Sequence, residues 1–233
     1  MKVLGLVPAR GGSKGIKDKN IVNLAGKPLI SYVIEALKKS ETVDKIVCTT
    51  DSEKIAEVAR EYGAEAPFLR PAEMARDDSA AYPALMHAVK KIEELQNYRP
   101  DYIVTAQPTY PLMKPEQIDK AVNLAIEKQA DSVVTVVELE HARHPYNIRY
   151  MEPDGTLQFW KEEEHYKYPT RQSKPQFYSF ANILVTNYST LMNRGRLEGV
   201  KNYPLVVELI TSFDINIQED LEIIEFIMKG MSK

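Results

Sequence analysis

The feature that most constrains the fold is a regular alternation of short apolar runs and longer amphipathic segments over residues 1–137. Largely apolar runs are typical of parallel strands covered on both faces, and the segments between them show helical spacing of apolar residues. We therefore predict a Rossmann-like, mostly parallel α/β sheet with right-handed crossovers, of the type found in nucleotidyltransferases. The predicted strands lie at 3–7, 45–49, 65–69, 102–106, 132–137, 182–186 and 205–209, and the predicted helices at 28–38, after Ser52, and at 80–95, 115–127 and 218–229.

The character of the sequence changes after residue 137. Residues 138–180, named the arm, are rich in aromatic and charged residues, and a turn at 152–155 predicts a hairpin. We interpret 1–233 as a single domain with the arm inserted into it. The arm is expected to cover the site or to pack against a second subunit, which predicts a homodimer.

Composition excludes several classes of protein. The 233 residues carry a net charge of −3, so no general polyanion-binding surface is expected and nucleic acid is not a predicted partner. The N-terminal apolar run is too short for a signal peptide, and no stretch approaches the roughly 20 apolar residues of a membrane span. A single cysteine, Cys48, agrees with a reducing compartment. We therefore predict a cytoplasmic protein that does not contact membranes.

The most informative segment is the loop at 8–20, which follows the first strand at the sheet edge where such folds bind ligands. Glycines allow the backbone to approach an anion closely, and the cations add positive charge. The alternative is a solvated basic turn, and the loop matches neither the P-loop nor the G-x-G-x-x-G pattern. It contains Arg10, Gly11, Gly12, Lys14, Gly15, Lys17 and Lys19.

This loop resembles the opening motif of the CMP-acylneuraminate (CMP-sialic acid) synthetases and their relatives for other nonulosonic acids. Later segments agree with the family's motifs in the same order, and the resemblance covers nearly the whole chain. The matching segments are Pro8-Ala-Arg-Gly-Gly-Ser-Lys-Gly-Ile16, Thr49-Thr-Asp-Ser52, Phe68-Leu-Arg-Pro-Ala-Glu73, Gln107-Pro-Thr-Tyr-Pro-Leu112, Arg171-Gln172 and Phe213-Asp-Ile-Asn216.

The resemblance implies an enzyme that transfers CMP from CTP to an acidic nine-carbon sugar with Mg²⁺ and releases pyrophosphate. It implies catalytic roles for Arg10, Lys19 and Arg171. The implied nucleotide-binding residues are Ala9, Arg10, Gly11, Lys14, Asn20, Arg70 and Ser79, the implied sugar-binding residues are Gln107 and Arg171, and the implied metal ligands are Asp214 and Asn216.

Several of these residues also have ordinary structural interpretations. Ser79 is positioned to cap the helix that follows it. Asn216 stands where the family commonly has a second aspartate, and with Glu219 it has the spacing of a helix cap. Gln107 follows a strand and precedes Pro108, so its amide is expected to be held rigidly at the ligand edge.

The sugar side departs from the sialic acid pattern. Tyr178-Ser-Phe-Ala-Asn182 stands where relatives that use N-acetylneuraminate carry a cation and an amide. We therefore expect a related acid with different substituents, such as legionaminic or pseudaminic acid. Two alternatives remain open: a nucleotidyltransferase for Kdo, a phosphonate or a neutral sugar, and a degenerate nucleotide-sugar binding protein without catalysis.

Overall fold

The computed structural model describes residues 1–75 and 81–231. The strands are β1 (Val3–Pro8), β2 (Asn23–Leu24), β3 (Lys27–Pro28), β4 (Lys45–Thr49), β5 (Tyr102–Ala106), β6 (Ser132–Glu138), β7 (Arg149–Met151), β8 (Leu157–Phe159), β9 (Tyr178–Asn187) and β10 (Asn202–Val206). The helices are α1 (Leu29–Lys39), α2 (Glu53–Tyr62), α3 (Ala81–Gln96), α4 (Pro115–Lys128), α5 (Glu162–Lys167), α6 (Tyr188–Met192) and α7 (Gln218–Met231).

Six strands form the central sheet in the order β10-β6-β9-β5-β1-β4. Neighbouring strands are parallel except β9, which runs antiparallel between β5 and β6. The predicted mostly parallel α/β sheet is therefore confirmed.

Alternation along β1 shows why both faces of the sheet are covered. Val3 and Val7 pack into a core formed with α1, α2 and α4, whereas Leu4 and Leu6 pack against α3 and α6. Successive side chains of a strand point to opposite faces, so an apolar strand needs helices on both sides.

A third apolar cluster joins the C-terminal helix to the N-terminal loop. Leu221 and Ile224 of α7 pack with Ile16, Leu24 and Ile215. The two ends of the chain therefore meet beside the carboxyl edge of the sheet.

Two predicted strands are wrong in detail. Of residues 65–69, only Glu65 pairs, with Val47, because Pro67 lacks the N–H that a ladder needs. The strand predicted at 205–209 is Asn202–Val206 instead. This strand lies at the edge of the sheet, and its residues alternate between exposed and half-buried. The apolar residues at 205–209 therefore do not coincide with the residues that pair.

Residues 139–177 lie between two adjacent strands of the sheet, β6 and β9. The predicted hairpin is confirmed as β7–β8, and the rings of His144, Tyr146 and Phe177 contact one another at its base. Among the helices of the described chain, none is both long and apolar enough to cross a bilayer.

Candidate active site

A cavity of about 670 Å³ opens at the carboxyl edge of the sheet, where β1 and β5 end. Its size is within the range usual for small-molecule sites. Its lining includes Arg10, Lys14, Gly15, Lys19, Asn20, Arg70, Leu85, Thr105, Gln107, Pro108, Phe180, Leu184, Leu197, Glu198 and Asn216. Three cations of the loop, Arg10, Lys14 and Lys19, therefore face the same cavity as Arg70, which is far from them in sequence.

The loop at 8–20 is held by its own backbone and side-chain contacts. The buried Asn20 donates from Nδ2 to the carbonyl oxygen of Arg10 at 2.8 Å, which closes the loop on itself. Ala9 is also buried, and its N–H donates to Thr49 O at 3.1 Å. Gly11 N–H donates to Asp51 Oδ1 at 2.9 Å, so this amide already has a partner within the protein.

Lys19 joins the loop to the segment that carries Asp214. Its Nζ donates to Ile215 O at 3.0 Å and to Asn216 Oδ1 at 3.5 Å. Burial lowers the pKa of Lys19, and the nearby Asp214 carboxylate opposes that shift. A side chain on Gly15 would place its Cβ 2.4 Å from Asn216 O, so the two segments approach too closely for any other residue.

Arg70 is 6% exposed, and its Nε and Nη2 have no hydrogen-bond partner among the described residues. The nearest carboxylate oxygen, Asp51 Oδ1, lies 3.6 Å from Nη2, and burial lowers the pKa of Arg70. Buried polar groups in proteins are almost always hydrogen-bonded. Unsatisfied donors on a residue that lines a cavity therefore point to a polar ligand.

Asp214 also has an unsatisfied atom. Its Oδ1 is buried and accepts no hydrogen bond from the described residues, while Oδ2 accepts from Asn216 Nδ2 at 2.8 Å. A free carboxylate oxygen fits a hard cation, which takes one or two carboxylates and completes its shell from phosphates and water. No group of three or more His, Cys, Asp or Glu within 1–75 and 81–231 is arranged to hold a metal.

The structural interpretation of Asn216 as a helix cap is wrong. Helix α7 begins at Gln218, and Asp220 Oδ2 accepts from the N–H groups of Asn216 at 2.8 Å and of Ile217 at 3.0 Å. The capping carboxylate is therefore that of Asp220, the third residue of α7, and not that of Glu219, which the sequence spacing suggested. Ser52 similarly occupies the N-cap position of α2 without a capping hydrogen bond from its side chain.

The predicted sugar-binding residues are not brought together in one subunit. Gln107 lines the main cavity, whereas the exposed Arg171 lines a second cleft of about 330 Å³ with His144, Lys174 and Phe177. Within the segment that departs from the sialic acid pattern, Phe180 lines the main cavity. Ala181 and Asn182 are fully buried, so the amide of Asn182 faces the core.

Some features of the site had no clear sequence signal. Leu197 and Glu198 line the cavity from the loop between α6 and β10, which carries no recognisable motif. Asp51, which from the sequence could be a helix-capping residue or a residue of the ligand edge, contacts both the loop and Arg70. Ser79 lies outside the described residues.

Comparisons with known proteins identify relatives over most of the chain. A pseudaminic acid cytidylyltransferase of Campylobacter jejuni is 36% identical over 167 residues, 72% of this chain and 70% of that protein. A CMP-N,N'-diacetyllegionaminic acid synthase of Campylobacter jejuni is 31% identical over 229 residues, 97% of this chain and 95% of that protein. An N-acylneuraminate cytidylyltransferase of Escherichia coli is 30% identical over 223 residues, 95% of this chain but 51% of that protein.

A solved CMP:2-keto-3-deoxy-manno-octonic acid synthetase superposes with a TM-score of 0.74, covering 99% of this chain and 100% of that one. At 15% identity this similarity shows the fold alone. The family model described as "Cytidylyltransferase" matches residues 4–230. The chain therefore belongs to the cytidylyltransferase family.

Proposed function

We propose that this cytidylyltransferase transfers CMP from CTP to the anomeric hydroxyl of a nonulosonic acid and releases pyrophosphate. The observation that carries the proposal is that one cavity joins Arg10, Lys14 and Lys19 of the loop to the buried, unsatisfied donors of Arg70. The names of the relatives, which specify pseudaminic, legionaminic and N-acylneuraminic acids, support this class of acceptor.

The base would lie at the Arg70 end of the cavity. Cytosine presents a carbonyl oxygen and a ring nitrogen as acceptors, which suit a planar guanidinium with free N–H groups. Leu85, also in the lining, offers an apolar surface beside it. Arg70 would thus bind and orient the nucleotide.

The triphosphate would lie along the loop. Arg10, Lys14 and Lys19 line this side of the cavity and would stabilise charge on the phosphate oxygens. Lys19 is held in place by Ile215 O, so its charge is positioned before the substrate arrives. Phosphoryl transfer depends mostly on such positioning and on charge stabilisation.

Asp214 would hold Mg²⁺ through its unsatisfied Oδ1. The bound metal would neutralise phosphate charge and orient the nucleotide. Asn216, as the structure orients it, directs its amide oxygen toward Lys19 and its nitrogen toward Asp214, which makes it a supporting residue rather than a strong ligand.

The acceptor would occupy the Gln107 end, where Phe180 and Leu184 form an apolar wall. An apolar wall favours sugars that are deoxygenated or carry bulkier N-acyl substitution, such as pseudaminic and legionaminic acids, over N-acetylneuraminate. Within one subunit Arg171 lines the second cleft and not the main cavity. It would contact the sugar acid only if the second cleft of a partner subunit adjoined this cavity, as a homodimer would allow. Large exposed apolar side chains of the arm support such an association: Met151 is 70%, Leu157 62% and Trp160 64% exposed.

A pyrophosphate-release assay tests the proposal directly. The four nucleoside triphosphates are each combined with pseudaminic, legionaminic, N-acetylneuraminic and Kdo acids, with and without Mg²⁺. We expect turnover only with CTP, dependent on Mg²⁺ and greatest with pseudaminic or legionaminic acid. A preference for Kdo, or equal use of all nucleotides, would contradict the proposal.

The metal assignment has its own test. Asp214→Asn removes the charge that would bind Mg²⁺ and is expected to abolish turnover. Asp101→Asn is the matched control, because Asp101 precedes β5 at the opposite edge of the sheet and accepts from Lys2 N at 2.7 Å. Equal activities of the two variants would refute the role of Asp214.

A further inference from the structure

A chain of buried polar side chains connects the centre of the sheet to the segment that carries Asp214. Burying polar groups costs free energy unless each finds a partner, so such a network fixes the geometry of everything it joins. Its members are Thr135 on β6, Asn182 on β9, Gln117 on α4 and Thr211, none of them more than 8% exposed.

Asn182 is the centre of this network. Its Nδ2 donates to Thr211 O at 2.8 Å and to Gln117 Oε1 at 3.3 Å, and its Oδ1 accepts from Thr135 Oγ1 at 2.9 Å. Gln117 Nε2 in turn donates to Thr211 Oγ1 at 2.9 Å. Thr211 is therefore held by Asn182 through its carbonyl oxygen and by Gln117 through its hydroxyl.

An irregularity in the sheet orients Asn182. Val134 pairs with Leu184 but Val136 pairs with Phe180, so β9 contains two more residues than β6 at this point. The hydroxyl of Thr135 accepts from the N–H groups of Asn182 at 3.1 Å and of Ile183 at 2.7 Å. Bulges of this kind redirect side chains and occur often beside active sites.

Thr211 lies three positions before Asp214. At the other end of the same short segment, Ile215 N–H donates to Thr109 O at 2.9 Å and Ile215 O accepts from Lys19. The segment 211–215 is thus held on both sides of Asp214. Asn182 supplies the connection on the N-terminal side.

We propose that Asn182 is a positioning residue that fixes Asp214, through Thr211, in the place where it binds the divalent cation. This inference rests on the proposed metal-binding role of Asp214. It differs from a contact between Asn182 and the sugar, because the amide of Asn182 is fully buried and its hydrogen bonds are made within the core.

The test measures Mn²⁺ binding directly, by electron paramagnetic resonance of free Mn²⁺ in the presence of CTP. Loss of groups that orient a metal ligand typically weakens metal binding about 10- to 100-fold. We expect Asn182→Ala to raise the Kd for Mn²⁺ about tenfold, at the lower end of that range, because it acts through Thr211. Binding of CTP without metal, followed by calorimetry, should be unchanged.

Asn187→Ala is the matched control. Asn187 ends the same strand, accepts from Thr190 N at 2.7 Å and donates to Ala130 O at 3.1 Å. Its replacement is expected to lower the free energy of unfolding while leaving the Kd for Mn²⁺ unchanged. If Asn182→Ala is destabilised but binds Mn²⁺ like the wild type, Asn182 is only a core residue and the proposal is overturned.

A further variant protects the test. If Asn182→Ala does not fold, Asn182→Leu keeps a similar side-chain volume but removes the Nδ2 donor to Thr211 O, and it should raise the Kd for Mn²⁺ in the same way. Wild-type Mn²⁺ affinity of a folded Asn182→Leu would overturn the proposal. Unchanged Mn²⁺ binding by Asp214→Asn would instead refute the metal site itself, and with it this inference.

Discussion

Replacing Arg70 should move stability and nucleotide binding in opposite directions. The side chain is 6% exposed, with two nitrogens that have no hydrogen-bond partner among the described residues. Leaving a buried polar group unsatisfied costs about 1–3 kcal/mol. Arg70→Met keeps much of the apolar volume and removes this cost. Asp51 loses a partner at 3.6 Å but keeps its hydrogen bond from Gly11.

The expected gain in the free energy of unfolding without ligand is about 1 kcal/mol, which corresponds to a rise in Tm of about 2–4 °C for a chain of this size. Hydrogen bonds to a charged group contribute about 1.5–3 kcal/mol, so CTP should bind roughly 10- to 100-fold more weakly. At a CTP concentration that stabilises the wild type by about 2.7 kcal/mol, a 100-fold weaker variant gains less than about 0.5 kcal/mol.

Urea unfolding with and without CTP measures both effects. Arg60→Met is the control, because Arg60 forms a partly exposed ion pair with Glu53 and donates to Ala66 O. That variant should lose a little stability and keep the full stabilisation by CTP. If Arg70→Met instead loses stability without ligand and keeps its response to CTP, the unsatisfied donors of Arg70 are not the nucleotide site.

Three other predictions concern the loop. Lys19→Ala should lower kcat about 100-fold, a larger factor than the rise in the KM for CTP, because Lys19 is expected to stabilise charge in the transition state. Steady-state kinetics measure both constants, and a change in KM alone would contradict this expectation. Because burial lowers the pKa of Lys19 below its usual 10.5, kcat/KM should fall with rising pH before an ordinary lysine loses its charge, and Lys19→Arg should shift that fall to higher pH. Gly15→Ala should weaken Mn²⁺ binding by displacing Asn216, whereas Gly12→Ala, with φ of 67° and open space around it, should cost only about 1–2 kcal/mol of stability; equal Mn²⁺ affinities would refute the close-contact argument.

Much of the fold follows from local sequence. The apolar runs of β1, β5 and β6 lie inside a doubly covered sheet, and the apolar run of β4 at its edge is also buried on both faces, so periodicity and burial agree. The errors occur where that agreement ends. Edge strand β10 alternates in exposure, and residues 65–69 contain a proline that stops the pairing.

The site was less predictable, because its contacts join distant parts of the chain. Glycines and cations placed the loop at the ligand edge, and Gln107 followed a clear strand end. Neither pattern could show that Arg171 lies in a second cleft or that Asn182 faces the core. Those placements depend on the arm and on a bulge whose signal is not local.

The two ends of the chain have to meet before the site exists. Lys19 reaches Ile215 across 196 positions, and Gly15 lies against Asn216. The loop continues directly from the first strand, whereas the segment of Asp214 is held by contacts with β9 and α7. The loop by itself therefore supplies positive charge for the phosphates, whereas its alignment with Asp214 depends on contacts made by distant parts of the chain. This is the physical reason why the buried network around Asn182, and not only the recognisable loop motif, is expected to control metal binding.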